Sequence, residues 1–175
     1  MPSMTTTTIN DPATSFASTE RNSLAATPCH ATALRKATRR LSQLYDAALA
    51  PCGIRSTQRS ILRHINTAGE LTMGELAESL VLDRSALNHN LKPLERDGLV
   101  QVVVATEDKR SRKVTLTPAG REKLAQSQPL WQAAQQQFEA IIPPEQARTL
   151  TATLAEIASP EFARTFSTPL TGTAK

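Results

Sequence analysis

The sequence lacks the features that mark several classes of protein. Its 175 residues contain no apolar run near the roughly 18 residues of a membrane-spanning helix. The first 27 residues are polar and rich in Thr and Ser, so we expect no secretory signal. Two cysteines cannot build a disulfide framework, and we therefore expect a cytoplasmic protein whose thiols stay reduced.

Aromatic side chains and net charge are also scarce. Aromatic residues make up 3% of the chain, which argues against the stacking platforms that bind single-stranded nucleic acid. The formal net charge is only +4, so a nucleic-acid partner requires basic residues in particular places rather than in bulk. Three scattered histidines, with no phosphate-binding loop and no hydrolase or zinc-protease motif, predict no metal site, no cofactor and no enzymatic activity.

What is present is a helical pattern in the middle of the chain. Residues 1–27 show no apolar periodicity and predict a disordered tail, and residues 161–175 are expected to be loose. The folded domain is predicted to cover residues 28–160. Within it, apolar residues recur at helical spacing over residues 30–50, 56–66, 71–80, 84–97, 118–142 and 145–158.

Local signals predict where the third and fourth helices begin and end. Thr72 and Glu75 form a capping box, in which each side chain satisfies an unpaired amide of the first turn. Asp83 is the predicted N-cap of the fourth helix, and Gly98 its left-handed stop. Pro93 lies inside that helix and removes an amide donor, so we expect a kink there.

A β-hairpin is predicted after the fourth helix. Residues 100–105 and 112–116 are short β-branched runs, joined by the polar turn 106–111. Thr117-Pro118 then begins the fifth helix. The predicted fold class is mainly α with a small β-hairpin (α+β). Three helices, the last two joined by a turn, and a hairpin over residues 56–117 form the layout of a winged helix-turn-helix, which inserts one helix into the major groove of double-stranded DNA.

The fourth helix has a face suited to this role. Leu87, Leu91 and Leu94 form its predicted buried stripe. The outward face carries basic and short hydrogen-bonding side chains: Arg84, Ser85, Asn88, His89 and Lys92. Such side chains suit bases and phosphates. Glu95 and Asp97 are expected to lie toward the C-terminal end, away from the contact face. A plain amphipathic surface helix is the alternative interpretation.

The hairpin turn supplies further basic residues: Lys109, Arg110, Arg112 and Lys113. A loop arginine can enter the minor groove, where a narrow A·T-rich stretch concentrates negative potential. Asp108 lies two residues before Arg110, and its carboxylate can hold that arginine extended. A solvated charged turn is the alternative.

These residues also carry a family resemblance. The matching segments are Asp83-Arg84-Ser85, residues 94–100, Asp108-Lys109-Arg110 and residues 116–120. Over about residues 30–157 the chain resembles the MarR (multiple-antibiotic-resistance regulator) family. The resemblance implies a homodimer in which helices at about residues 30–50 and 118–158 interlock. It also implies repression of transcription at a pseudo-palindromic operator, relieved by a small aromatic acid or by oxidation.

The resemblance assigns roles by position. Arg110 is the implied minor-groove arginine, with Asp108 orienting it. The implied major-groove face consists of Ser85, Asn88, His89 and Lys92. His89 stands where many family members have arginine, so this base contact departs from the family pattern.

A binding site for an aromatic acid needs a cation beside an apolar slot. The resemblance places the pocket on the first, second and fifth helices. The candidate side chains are His30, Arg35, Arg39, Tyr45, Arg59 and Arg63. Arg35 and Arg39 are one helical turn apart, and we expect one of them to bind the carboxylate of a hydroxybenzoate or pyridine carboxylate. Surface arginines or dimer ion pairs are the alternative.

Other functions stay open from sequence alone. Cys29 lies near the start of the first helix, where a thiol pKa falls, which suggests a redox-sensing repressor. Related peroxide sensors hold their thiol with two tyrosines, however, and this chain has only Tyr45. A small enzyme using Cys29 and His30 is disfavoured because adjacent helical residues point in different directions. A helical interaction protein without DNA binding is the third alternative.

Overall fold

A computed structural model describes residues 29–104 and 111–168. In chain order the elements are α1 (His30–Leu49), a 3-10 turn (Ala50–Cys52), α2 (Ser56–Ala68), β1 (Glu70–Thr72), α3 (Met73–Ser79), α4 (Arg84–Arg96), β2 (Val100–Val104), β3 (Arg112–Leu116), α5 (Pro118–Ile141), α6 (Pro144–Ile157) and α7 (Pro160–Ser167). The mainly helical fold class with a winged helix-turn-helix is therefore confirmed. No helix in the described part of the chain is long and apolar enough to cross a membrane.

The hairpin belongs to a three-stranded antiparallel sheet with the order β1-β3-β2. Val114 in the central strand pairs with Leu71 on one side and Val102 on the other. An ion pair of 2.7 Å between Lys113 Nζ and Glu70 also joins β3 to β1. Because β1 leads directly into α3, the sheet ties the base of the hairpin to the start of that helix.

The hydrophobic core lies between this sheet and helices α2, α3 and α4. Its fully buried side chains include Leu62, Leu76, Leu87, Leu94 and Val114. Each such side chain contributes about 1.5–3 kcal/mol when it is removed from water. Since the leucines of α4 all point into this core, the opposite face of α4 must point to solvent.

Both predicted ends of α4 are present. The Asp83 carboxylate accepts the amide of Ala86 at 2.7 Å, and Gly98 has a left-handed φ of 69°. The Leu99 amide donates to the Leu94 carbonyl at 2.8 Å, which closes the helix. The helix continues through Pro93 to its end at Arg96.

The start of α5 packs against the end of α4. The Thr117 hydroxyl donates to the Gly98 carbonyl at 2.6 Å and accepts the Gly120 amide at 3.0 Å. Gly120 is buried, and a Cβ atom at this position would lie 1.9 Å from the Leu99 carbonyl oxygen. Only glycine allows so close an approach, so this contact sets how α5 leaves the winged helix-turn-helix.

The junction between α1 and α2 depends on one carboxylate. Asp46 Oδ1 accepts both the amide of Ser56, at 2.7 Å, and its hydroxyl, at 2.6 Å. At the same end of α2, the Gln58 side chain accepts the Arg55 amide at 2.9 Å. The carboxylate of Asp46 on α1 therefore accepts the hydrogen bonds of Ser56 in the first turn of α2.

The C-terminal region differs from expectation, because α7 lies where loose chain is predicted. The Ser159 hydroxyl accepts the Phe162 amide at 3.1 Å, and Arg164 pairs with Glu161 at 2.8 Å. The rings of Phe162 and Phe166 stack with centroids 6.0 Å apart. This capping and pairing account for a helix as far as Ser167. The predicted tail at residues 1–27 and most of the predicted turn lie outside the described residues.

Candidate nucleic-acid interface

The outward face of α4 has the composition that the sequence predicts. Its five predicted side chains are exposed: Arg84, Ser85, Asn88, His89 and Lys92. Opposite them, Leu87 and Leu94 are fully buried and Leu91 nearly so. The hydrogen-bonding and basic groups of α4 are therefore free to contact a partner.

Arg112 joins this face from the hairpin. With Arg84, Asn88 and residues 72–74 at the start of α3, it lines a depression of about 340 Å³. With Asn88 and Lys92 it also borders a second groove, of about 400 Å³, between α4 and β2. The structure thus brings Arg84, Asn88 and Lys92 of α4 and Arg112 of β3 onto one continuous surface.

One acidic residue lies where it was not expected. Glu95 lines the groove that also contains Lys92 and Arg112, so the expectation that it points away is wrong. Positions 88, 92 and 95 are four and three residues apart, which places them on one helical face. Asp97 does not line the groove, and its carboxylate pairs with Arg96 at 3.0 Å. The groove therefore contains a carboxylate among its cations.

The start of α3 at this surface is held by the predicted capping box. The amide and hydroxyl of Thr72 both donate to Glu75 Oε2, each at 2.8 Å. The Glu75 amide donates back to the Thr72 hydroxyl at 3.2 Å. The two bonds from Thr72 lower the pKa of the Glu75 carboxyl, which keeps it ionised.

Three predicted contacts cannot be placed. Asp108, Lys109 and Arg110 lie outside the described residues. The minor-groove role of Arg110 and the orienting role of Asp108 stay predictions from sequence.

The six candidate effector residues do not converge on one site. His30, Arg35 and Arg39 are exposed along α1. Tyr45 is half-buried where α1 meets α5, whereas Arg59 and Arg63 border a cleft between α2 and α5. A carboxylate site at Arg35 or Arg39 stays a prediction from sequence.

Tyr45 lines a cavity of about 680 Å³ between α1, α5 and α6. Leu41, Phe138 and Leu154 supply apolar walls. The Tyr45 hydroxyl donates to the side-chain oxygen of Gln135. Burial, and then the charge of Glu139, raise the pKa of Tyr45, so the hydroxyl stays protonated. The cavity combines an aromatic, apolar wall with a few polar groups.

The Arg59 side chain is buried and forms hydrogen bonds with α5. Only 4% of its surface is exposed. Its Nε donates to Ser127 Oγ at 3.1 Å, and its Nη2 donates to Gln128 Oε1 at 2.7 Å. The guanidinium carbon also lies 4.5 Å from the ring centroid of Trp131. Sequence reasoning did not find these α5 partners, because no local pattern links them to α2.

The two cysteines have different surroundings. Cys29 is exposed, and hydrogen bonds from the side chain and then the backbone of Thr32 lower its thiol pKa. Cys52 is half-buried and donates to the Leu49 carbonyl at 3.1 Å. Among the described residues, no three His, Cys, Asp or Glu side chains form a group that could hold a metal ion.

Comparison with known proteins places this arrangement in a family. Residues 53–111 match the model of the MarR family. The transcriptional regulator MosR of M. tuberculosis, solved in complex with DNA, is 36% identical. The match covers 75% of this chain and 96% of MosR, with a TM-score of 0.67. The chain belongs to the MarR family.

Two further relatives agree with this membership. MarR of E. coli, solved as a mutant complexed with operator DNA, is 26% identical over 73% of this chain and 91% of its own, with a TM-score of 0.67. The transcriptional activatory protein BadR of Rhodopseudomonas palustris is 38% identical over 80 residues, which are 42% of this chain. That match spans 46% of BadR, about half of its length. These relatives are regulators of transcription, which confirms the prediction of a winged-helix regulator rather than an enzyme.

Proposed function

We propose that the protein is a cytoplasmic, homodimeric repressor that binds a pseudo-palindromic operator in double-stranded DNA. A small aromatic or heteroaromatic carboxylic acid releases it. The observation that carries the DNA-binding part is the shared surface of α4 and Arg112. An exposed helix face with amide, hydroxyl and cationic groups fits the major groove, and a basic hairpin fits the adjoining backbone and minor groove.

Each group on this surface has a proposed task. Asn88 and His89 contact base edges, while Arg84, Lys92 and Arg112 neutralise phosphates. A dimer presents two such surfaces, with the two copies of α4 about 34 Å apart, one turn of DNA.

The apolar surface of the last two helices supports a dimer. Neither α6 nor α7 contains a buried residue. Their large apolar side chains are instead exposed: Leu150, Leu154, Ile157, Phe162 and Phe166. An exposed apolar patch of this kind is typical of an interaction surface. The proposed partner is a second copy of the chain.

The proposed effector site is the cavity beside Tyr45. Its apolar and aromatic walls suit a benzene or pyridine ring, and Arg148 on α6, which pairs with Glu145, supplies a cation to the lining. Because α6 forms part of the cavity and of the proposed dimer surface, a ligand here can bias the spacing of the two DNA-binding surfaces.

A mobility-shift assay on the DNA upstream of the protein's own gene tests the binding mode. We expect the wild type to form one specific complex, and the double variant Lys92→Ala and Arg110→Ala to bind at least tenfold more weakly, since each lost phosphate or base contact costs about 1–3 kcal/mol. Arg55→Ala, an exposed arginine just before α2 and outside the grooves beside α4, is the matched control and should bind normally. Undiminished binding by the double variant would reject this interface.

Calorimetry with benzoate, salicylate and nicotinate tests the effector. Binding should be lost in Arg148→Ala if the Tyr45 cavity holds the acid, and in Arg35→Ala or Arg39→Ala if the exposed α1 arginines do. Unchanged affinity in all three variants would contradict both sites, and no binding of any of the three acids by the wild type would contradict the aromatic-acid proposal.

The exposed Cys29 favours a second candidate, a redox-sensing repressor. Hydrogen bonding by Thr32 lowers the thiol pKa, which favours the reactive thiolate. If peroxide releases DNA from the wild type but not from Cys29→Ser, and no aromatic acid binds, the redox function replaces the ligand-responsive one.

A further inference from the structure

Three arginines meet at a cleft that the proposed DNA and effector sites do not use. The cleft lies between α2 and α5 and has a volume of about 370 Å³. Arg59 and Arg63 border it from α2, and Arg121 borders it from α5. Asn66 and Gln128 add polar groups, and no acidic residue in the described part of the chain lines it.

The described residues provide no counter-charge for the arginines of this cleft. Arg59 is almost fully buried, and its partners Ser127, Gln128 and Trp131 are all neutral. Of the ion pairs formed between described residues, none includes an arginine of the cleft. Burying a charge without an opposite charge is costly, so an anion in the cleft would stabilise the folded protein.

The guanidinium groups of Arg59 and Arg63 also repel each other. Burial is the main cause that lowers the pKa of Arg59, and the charge of nearby Arg63 lowers it further. Arg121 uses Nη1 to donate to the Leu116 carbonyl at 2.9 Å, which holds its side chain in place. Within the described part of the chain, the other guanidinium nitrogens of Arg121 and the whole guanidinium of Arg63 can donate hydrogen bonds to a ligand. Two guanidinium forks from two helices suit a tetrahedral oxyanion.

The side chains that line the cleft favour a compact oxyanion over an aromatic acid. Among the described residues, the apolar side chains that line the cleft are Leu124 and Ala125, and Trp131, whose ring lies 4.5 Å from the Arg59 guanidinium carbon, is not part of the lining. An aromatic ring would find little apolar surface there, whereas a doubly charged oxyanion would find several cationic donors. We propose that this cleft binds phosphate, either as inorganic phosphate or as the phosphoryl group of a metabolite.

Such a ligand would connect two parts of the protein. Arg63 belongs to the winged helix-turn-helix, and Arg121 belongs to the long helix α5. An anion held by both would fix one against the other. By linkage, occupancy then raises the thermal stability of the protein and changes its affinity for any partner that prefers a different arrangement.

The fluorescence of Trp131 can report ligand binding at this site. Trp131 is the only tryptophan, and its ring lies against Arg59. We would titrate the full-length protein with inorganic phosphate, glycerol 3-phosphate, benzoate and chloride at constant ionic strength, and follow tryptophan fluorescence and Tm. The expected result is a saturable fluorescence change and a rise in Tm with one or both phosphate compounds. Tighter binding of glycerol 3-phosphate assigns a metabolite, and tighter binding of inorganic phosphate assigns the free ion.

Variants separate the cleft from general charge effects. Arg63→Gln and Arg121→Gln should each weaken phosphate binding roughly tenfold or more, since each removes charge-assisted hydrogen bonds. Arg96→Gln, an exposed arginine at the end of α4, is the matched control and should bind as the wild type does. Circular dichroism checks folding, and Arg63→Lys serves if Arg63→Gln unfolds.

Three results would overturn the proposal. One is a phosphate response no larger than that of chloride. Another is an equal response in the cleft variants and the wild type. The third is binding of benzoate, but not of phosphate, to the cleft. Each can be read without DNA, so the outcome is independent of whether the protein proves to be an aromatic-acid-responsive repressor.

Discussion

Replacing Gly120 with alanine tests the packing of α5 on the winged helix-turn-helix. The added Cβ atom would lie 1.9 Å from the Leu99 carbonyl oxygen and 2.9 Å from its carbonyl carbon. Both contacts are with backbone, which cannot rotate away, so α5 or the start of β2 must shift. Overpacking of a buried site costs about 1–3 kcal/mol, and a rigid backbone contact belongs at the upper end.

A gain in helix propensity offsets part of this cost. Alanine is favoured over glycine in a helix by about 1 kcal/mol, which leaves a net destabilisation of about 2 kcal/mol. For a chain of this size that lowers Tm by about 4–8 °C. We would measure it by urea and thermal unfolding at one fixed protein concentration, because a dimer's stability depends on concentration.

Gly74→Ala is the matched control for Gly120→Ala. Gly74 also lies in the first turn of a helix, α3, but the nearest atom to an added Cβ atom is Thr72 Oγ1 at 3.9 Å. Alanine should therefore be neutral or stabilising at this position. If Gly120→Ala proves as stable as Gly74→Ala, the close contact between α5 and Leu99 does not exist in solution and the reasoning is refuted.

Three further predictions follow from individual contacts. Asp46→Ala should lower the free energy of unfolding by about 1–3 kcal/mol in urea titrations, because Ser56 loses both hydrogen bonds at the start of α2; an unchanged midpoint would contradict this. Glu95→Gln should tighten operator binding severalfold at low salt, measured by fluorescence anisotropy, because it removes a negative charge from a groove of the proposed DNA-binding surface, and weaker binding would show that the carboxylate assists recognition. Because it is exposed and its pKa is lowered, the thiol of Cys29 should react with iodoacetamide faster than the half-buried thiol of Cys52, and faster labelling of Cys52 in peptide mass spectrometry would contradict this.

The sequence predicts the DNA-facing elements well because their signals are local. Thr72 with Glu75, Asp83 and Gly98 each act within a few residues of their own position, and the structure has all of these end signals. The buried leucines of α4 follow from periodicity alone. Periodicity could also have placed Glu95 beside Lys92.

Contacts between distant segments could not be predicted in the same way. No local pattern links the Ser56 amide at the start of α2 to its acceptor, Asp46 of the preceding helix. The burial of Arg59 depends on Ser127 and Trp131, which reach it only after α2 and α5 have packed. The start of α7 is a different case, because a serine followed by a proline is a local signal that sequence reasoning missed.

The salt dependence of operator binding tests the central claim most directly. The claim is that α4 and Arg112 together bind duplex DNA as a dimer. The double variant Lys92→Ala and Arg112→Ala removes two cations per protomer, and thus four phosphate contacts per dimer. Anisotropy titrations over a range of salt concentrations should therefore show weaker binding and a slope of log K against log salt that is shallower by roughly 3–4 units, with Arg55→Ala unchanged. Equal affinity and an equal slope in the double variant and the wild type would contradict the account.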